Sequence, residues 1–278
     1  MSDRQIVQER REAELRVEHE RTRAESERRA RELEEARQLQ LSMLPRRVPQ
    51  LPDVEVAAYM RTASEIGGDY YDFHAGPENA LLVVIGDATG HGLKAGTIVT
   101  ATKSLFAAFA AAPRATTNVV CFLRDTSLAL KAMNLRSLFM SLAVVVIKDG
   151  ELFVAGAGMP PALLWRAADG SLEAVKLSGA PLGSVVSYPY REQRFNFAPG
   201  DVLFLMSDGC VERFNELGEM FDEERARDLL RRCAGLSPEA IIDRFVAAGE
   251  EWAGDRPPDD DITFVVLRRR IAPARSAK

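Results

Sequence analysis

The chain has 278 residues, 46% of them hydrophobic and 28% charged, with a net charge of -5 and a pI near 5.5. That is enough apolar material for one large domain or two modest ones, and the acidic balance excludes a global attraction to nucleic acid or to an anionic membrane. No apolar run approaches the roughly 18 to 20 residues of a bilayer span, the N-terminus is too charged for a secretory signal, and Cys121, Cys210 and Cys233 form no CxxC pair, so they read as reduced thiols of a cytoplasmic protein.

Residues 3 to about 40 are dense in Glu and Arg and contain neither Gly nor Pro, which predicts one helix. At ~1.5 Å per residue such a rod is roughly 55 Å long, more than a globular domain buries. Its sparse apolar residues, among them Ile6, Leu15, Val17, Leu33 and Leu39, recur at some spacings of three, four or seven with Arg and Glu between them. Two arrangements fit: a solvated, salt-bridged single helix, or a parallel two-stranded coiled coil that makes the protein a homodimer. So long a polar helix needs a partner, which favours the coiled coil. LQLSMLP at 39 to 45 then gathers Leu39, Leu41, Met43 and Leu44 ahead of Pro45, Pro49 and Pro52, and the prolines stop the helix. That apolar end is expected to dock on the domain C-terminal to it. The chain therefore divides into a helical regulatory segment at 1–45, a second domain at 46–270 and a disordered tail at 271–278.

Beyond the boundary the pattern is of short strands: VEVAAYM, DYYDF and ALLVVIGD come first. Helices are predicted at 92 to 112 and 117 to 133, where apolar residues fall at helical spacing. A meander comes next in SLFMSLAVVVI, ELFVAGAG, PALLWRA, LEAVKL, REQRFNF and DVLFLMS, punctuated by DG, GMPP and PG turns. Two more helices at 222 to 232 and 237 to 252 precede a last strand at 262 to 268. This order predicts an α+β fold, a four-layer α-β-β-α sandwich of two antiparallel sheets flanked by helices.

Four of these segments bring an aspartate to a strand edge. GGDYYDF at 67 to 73 carries Asp69, VVIGDATGHG at 83 to 92 carries Asp87, VLFLMSDG carries Asp208, and PDDDITFVVL carries Asp260 and Asp261. An aspartate beside glycine is by itself an ordinary turn former. Four such positions are costly to gather unless something positive sits between them, and carboxylates in tight glycine turns suit a hard divalent cation. The set reads as a binuclear Mg or Mn site. Asp72 reads as structural, Tyr70, Tyr71 and Phe73 as core, and His91, flanked by glycines, as a turn residue. With three histidines and no paired cysteines a zinc site has little support.

GGDYYDF, GDATGHG, AGMPPALL, GAPLG, SDGCVERFNELGEMF and DDDITFVVLRR, in this order, resemble the metal-dependent type 2C serine/threonine phosphatases, most of all the bacterial branch of the stage II sporulation protein E phosphatase domain and the sigma-factor regulatory phosphatases. The resemblance covers about 54 to 270 and extends into QLQLSMLP. It implies that Asp87 bridges two metals, that the Ala88 carbonyl and Asp69 complete one site, and that Asp208 and Asp260 hold the other. Three consecutive aspartates leave the register open by one residue, so Asp259 and Asp261 remain alternatives, although counting back from Thr263 favours Asp260. Two ions bridged by a carboxylate and a water supply a nucleophile near neutral pH, neutralise phosphoryl oxygens and align attack.

The resemblance further implies hydrolysis of phosphoserine or phosphothreonine on a STAS-type anti-sigma-factor antagonist in a partner-switching pathway, with the rod as input device acting on the helices at 92 to 133. The chain departs from the pattern at Met159, where the family often has histidine, and no arginine maps onto the phosphate-binding arginine of the eukaryotic members; Arg61 and Arg213 are candidates only by nearness in sequence. Two rival readings are a catalytically weak scaffold acting through its coiled coil and a metal-dependent hydrolase of small phosphoesters.

Overall fold

The computed structural model describes residues 3–63, 66–112, 118–135 and 137–271. A long helix α1 (Asp3–Met43) leads into β1 (Val54–Arg61), β2 (Asp69–Ala75) and β3 (Leu81–Ala88), then helices α2 (Leu93–Ala110) and α3 (Val119–Ala132). The meander is β4 (Met140–Lys148), β5 (Glu151–Ala157), β6 (Ala162–Trp165), β7 (Leu172–Val175), β8 (Glu192–Asn196) and β9 (Val202–Met206). A single turn α4 (Asp208–Val211), helices α5 (Asp222–Cys233) and α6 (Pro238–Ala253), and β10 (Ile262–Arg269) close the fold.

Two five-stranded sheets result, ordered β1, β10, β9, β6, β7 and β2, β3, β4, β5, β8, with every pairing antiparallel. Three apolar layers separate the four structural ones. Along β3, Leu81, Val83 and Ile85 enter the core between the sheets while Leu82 and Val84 face α2 and α3. Along β10, Val265 and Leu267 face inward while Phe264 and Val266 meet α5 and α6. Strands covered on both faces need apolar residues at every position, which is why their sequences run as unbroken hydrophobic stretches without the alternation of a half-exposed antiparallel sheet.

The predicted four-layer sandwich is therefore present, with local differences. The strand expected from residue 137 begins at Met140, because Ser137 has φ of 61°, a left-handed turn that a strand cannot continue through. Asp208 does not end a strand: β9 stops at Met206 and Asp208 opens α4. The tail expected at 271–278 lies outside the described residues beyond Ile271.

Among the described residues, helix α1 joins the sandwich at its end. Leu44, just past it, packs on the cluster under α2 and α3, and Val48 and Leu51 join the core between the sheets. Leu15 and Val17, by contrast, are 58% and 66% exposed. Ion pairs such as Arg23 with Glu27 line the rod in the weaker Arg-before-Glu order. Among the described residues no helix is long and apolar enough to cross a membrane.

Asp72, read as a structural residue turning its strand, proves structural in a different way. Buried in the middle of β2, its carboxylate accepts a hydrogen bond from the Tyr70 hydroxyl at 2.8 Å and pairs with the Lys103 ammonium of α2, fastening that helix to its sheet. Asp72→Ala strands the ammonium and a buried hydroxyl together, and is expected to lower the unfolding free energy by about 3 kcal/mol. Glu151→Ala, which breaks the more exposed pair with Arg194, should cost about 0.5 kcal/mol; urea denaturation of both variants measures the contrast.

Candidate active site

Antiparallel topology brings the aspartates together. The start of β2 lies beside the end of β3, so Asp69 and Asp87 are direct cross-strand partners. In the other sheet the end of β9 lies beside the start of β10, which sets Asp208 next to Asp260 and Asp261. Both pairs occupy the same end of the sandwich. Asp87, Ala88, Gly90, His91, Asp260 and Asp261 line a pocket there of about 260 Å³. Asp69 is buried behind it, and its Oδ2 accepts a hydrogen bond of 2.5 Å from Thr263 Oγ1.

Backbone packing holds these positions. Ser207 and Thr263 interlock across the two strands: the Thr263 N–H donates to Ser207 Oγ at 2.9 Å, and the Ser207 N–H to the Thr263 carbonyl at 3.0 Å. A Cβ on Gly209 would lie 2.0 Å from the Asp261 carbonyl oxygen, so only glycine lets the Asp208 turn lie flush against the other acidic segment. A Cβ on Gly68 would lie 2.8 Å from the Ala88 carbonyl oxygen, 2.9 Å from Asp87 Oδ1 and 3.1 Å from the Gly90 carbonyl oxygen. Three oxygens thus converge on the space that the missing side chain leaves.

The run of three aspartates divides its work. Asp261 is buried and its carboxylate is spent on backbone amides, accepting from Ala63 N and Gly68 N at 2.7 Å and from Asp69 N at 3.3 Å. Asp259 pairs with Arg256 at 2.9 Å. Asp260 accepts one bond, from Asp261 N at 2.8 Å, and stands on the pocket wall.

A protein-family model described as stage II sporulation protein E (SpoIIE) matches residues 77–270, well over half of the chain. The chain belongs to the SpoIIE family. Membership makes it a serine/threonine phosphatase, a hydrolase of a class in which metal dependence is typical. This SpoIIE-family chain is similar to the phosphoserine phosphatase RsbU of Bacillus subtilis, 23% identical over 242 residues that cover 86% of this chain and 70% of RsbU. Its fold resembles the SiaA-PP2C domain of Pseudomonas aeruginosa with a TM-score of 0.76 at 24% identity, covering 87% of this chain and 98% of that one. A structure of RsbX in complex with magnesium matches with a TM-score of 0.61 at 16% identity, covering 80% of this chain and 98% of that one.

The other sequence candidates are placed clearly in this SpoIIE-family fold. Arg61 lies on the far face of its sheet, 3.3 Å from Glu250, and Arg213 is buried with its Nη2 donating to the Arg256 carbonyl at 2.6 Å. Neither reaches the carboxylate pocket. Met159 is buried in the apolar core between the sheets. His91 is a turn residue between Gly90 and Gly92, both with positive φ, as its glycines suggest, and it also stands on the pocket wall near enough for its charge to favour ionised Asp260. Sequence reasoning missed Ser207 and Gln40, the latter buried at the end of α1 with its carboxamide on the Gly67 carbonyl and N–H at 2.7 and 3.2 Å. Gln40 left one trace, as a lone polar side chain between Leu39 and Leu41 in the only apolar cluster of the rod.

Electrostatics test whether the residues fit a cation. Burial raises the Asp87 carboxyl to about 9, and the neighbouring charges of Asp69, Asp208, Asp260 and Asp261 push the same way. Asp69 is raised well above the ordinary carboxylate range, chiefly by burial and then by Asp261 and Asp208. Asp208 and Asp260 are raised too, each first by burial. Among the described residues no three carboxylate, imidazole or thiolate side chains stand in mutual ligating register. The donor set is nonetheless all oxygen, several times negative and mutually repelling, which is the chemistry that Mg or Mn relieves. The residues fit a divalent cation.

A carboxyl whose pKa is raised by folding, from about 3.9 in the unfolded chain, favours the fold fully below that value. The contribution is lost as pH climbs toward the folded value, here about 9 for Asp87, because the native state binds more protons than the unfolded one. In EDTA the melting temperature should therefore fall as the pH rises from 5 to 9, and Mg or Mn should restore it at pH 8. Asp87→Asn should melt higher than wild type in EDTA at pH 8 and respond less to metal. Differential scanning fluorimetry reads all three; a metal-free melting temperature flat across that range would contradict the electrostatic account.

Proposed function

We propose that the chain is a Mg- or Mn-dependent phosphatase of phosphoserine or phosphothreonine in a protein, with a phosphorylated STAS-domain anti-sigma-factor antagonist as substrate and the cytoplasm as its compartment. The observation that carries the metal-dependent reading is the facing pair Asp69 and Asp87, joined at one sheet end by Asp208 and Asp260, all with raised carboxyls. Membership of the SpoIIE family and likeness to the phosphoserine phosphatase RsbU support the choice of a protein substrate in a partner-switching pathway.

Two ions would be held by Asp87 between them, by Asp69 and the Ala88 carbonyl on one side, and by Asp208 and Asp260 on the other. When bound, such a pair supplies a water that is nucleophilic near neutral pH and neutralises the phosphoryl oxygens. The chain's own part is positional. Thr263 fixes one oxygen of Asp69, Asp261 fixes the amides of the turn that carries Asp69, and Gly68 leaves room for the Asp87 carboxylate beside the Ala88 carbonyl. The pocket at this end of the sandwich, about 260 Å³, is where a phosphoryl group would enter.

The division of the chain at residue 45 belongs to the same reading, with α1 as a regulatory segment that pairs in parallel with the α1 of a second copy. The exposed Leu15 and Leu39, which fall in one heptad register, supply apolar contact for such a pair. Light scattering should give the mass of a dimer for the full chain and of a monomer for residues 46 to 278.

The deciding assay is hydrolysis of para-nitrophenyl phosphate, then of a phosphoserine STAS protein and of nucleotides, with and without Mn. Wild type should act only with metal and prefer the phosphoprotein, and Asp87→Asn should lose at least about a hundredfold in kcat while tryptophan fluorescence shows it folded. A folded Asp87→Asn that keeps wild-type turnover would sink the proposal.

A further inference from the structure

A second cavity lies under α6, on the outer face of the sheet that carries β1 and β10, and shares no residue with the carboxylate pocket. It measures about 30 Å³, the room of one water molecule or one monatomic ion. Tyr59, Phe221, Phe245 and Phe264 are among its walls, and its charged groups are Arg61, Arg213 and Glu250.

Arg213 is the group left without a full set of partners. Only 5% of the residue is exposed. Its Nη2 donates to the Arg256 carbonyl at 2.6 Å, whereas its Nη1 is buried and makes no hydrogen bond. A guanidinium cannot shed its proton as a buried lysine can, so the charge has to be met from outside the side chain. Burial works against that charge first, Arg61 and Arg256 add to the effect, and Asp259 and Glu250 oppose it. Both of those carboxylates are engaged elsewhere: Asp259 pairs with Arg256 at 2.9 Å and Glu250 with Arg61 at 3.3 Å. Two guanidinium groups and one carboxylate leave the cavity with one positive charge in excess.

We propose that this cavity binds a monatomic monoanion, chloride or another halide, with Arg213 Nη1 as its donor and Arg61 as the second cation. A water molecule could accept from Nη1 but carries two protons that need acceptors of their own, and it leaves the charge uncancelled. A halide only accepts, and it balances the excess. The place matters to the fold because Arg213 joins three segments. Its carbonyl accepts from the Phe221 N–H at 2.8 Å and from Trp252 Nε1 at 3.1 Å, while Nη2 holds the carbonyl of Arg256 ahead of β10. An ion that neutralises Arg213 therefore secures the turn after α4, the end of α6 and the approach to β10 together.

The test melts the full chain in EDTA at pH 7, in sodium chloride and in sodium gluconate at matched ionic strength, so that general screening is equal in the two salts. Chloride is expected to raise the melting temperature by about 3 °C along a saturating curve, as a ligand that binds only the folded chain does, and bromide should replace it. The chloride NMR line should broaden with wild type and narrow again when bromide is added. Arg213→Met, which keeps the apolar stem and removes the cation, should lose both effects. Equal melting temperatures in the two salts, the result for a cavity that holds water only, would overturn the proposal, and so would a chloride effect that survives in a folded Arg213→Met. Should Arg213→Met not fold, Glu250→Gln decides: removing the carboxylate should lower the half-saturating chloride concentration by about threefold or more, and an unchanged value overturns the assignment.

Discussion

Repulsion among carboxylates that the backbone forces together is the constraint on which this end of the molecule depends. Asp69 and Asp87 cannot separate without breaking the β2 and β3 register, and Asp208 and Asp260 are tied through the interlocked Ser207 and Thr263. Each sits where burial disfavours its charge and its neighbours disfavour it further. A fold stabilised elsewhere by three apolar layers can tolerate such a cluster, and proteins commonly concentrate unfavourable terms where they act.

Asp261 shows how a charge can serve the same site without lining up with the others. Its two oxygens accept three amide bonds from the segment that leads into β2, binding the edge of one sheet to the first strand turn of the other. This side chain and the Thr263 to Asp69 bond help to hold the acidic ends of the two sheets in fixed relation. A neutral asparagine could accept some of these bonds, but its second arm would be a donor facing other donors.

Much of this was legible in the sequence, and the failures have physical causes. Order and type of the elements come from apolar runs and glycine turns, and the aspartates stood out because each ends or begins such a run. The face that each strand residue takes was not legible, since β3, β4 and β10 are apolar on both sides. Asp208 looked like a strand end because VLFLM continues into it, and only the Ser207 contacts show the chain turning there. Counting from Thr263 set Asp260 apart from Asp261; both line the pocket, and the carboxylate of Asp261 is engaged by three backbone amides while that of Asp260 accepts from the Asp261 amide. Gln40 was hidden because its partner is backbone, which carries no signature in side-chain chemistry.

The manner in which α1 is attached has a consequence for its far end. It is a helix of 41 residues whose buried contact, among the described residues, is in its final turn, so each residue added or removed upstream leaves the seat intact. Every such change turns the N-terminal end by about 100° and advances it ~1.5 Å. Whatever occupies that end is therefore coupled to the sandwich in phase as well as in distance. Helix lengths differing by whole heptads would preserve the azimuth to within ~20°, while other lengths would present a different face of the rod, which makes helical phase a heritable variable among chains built on this plan.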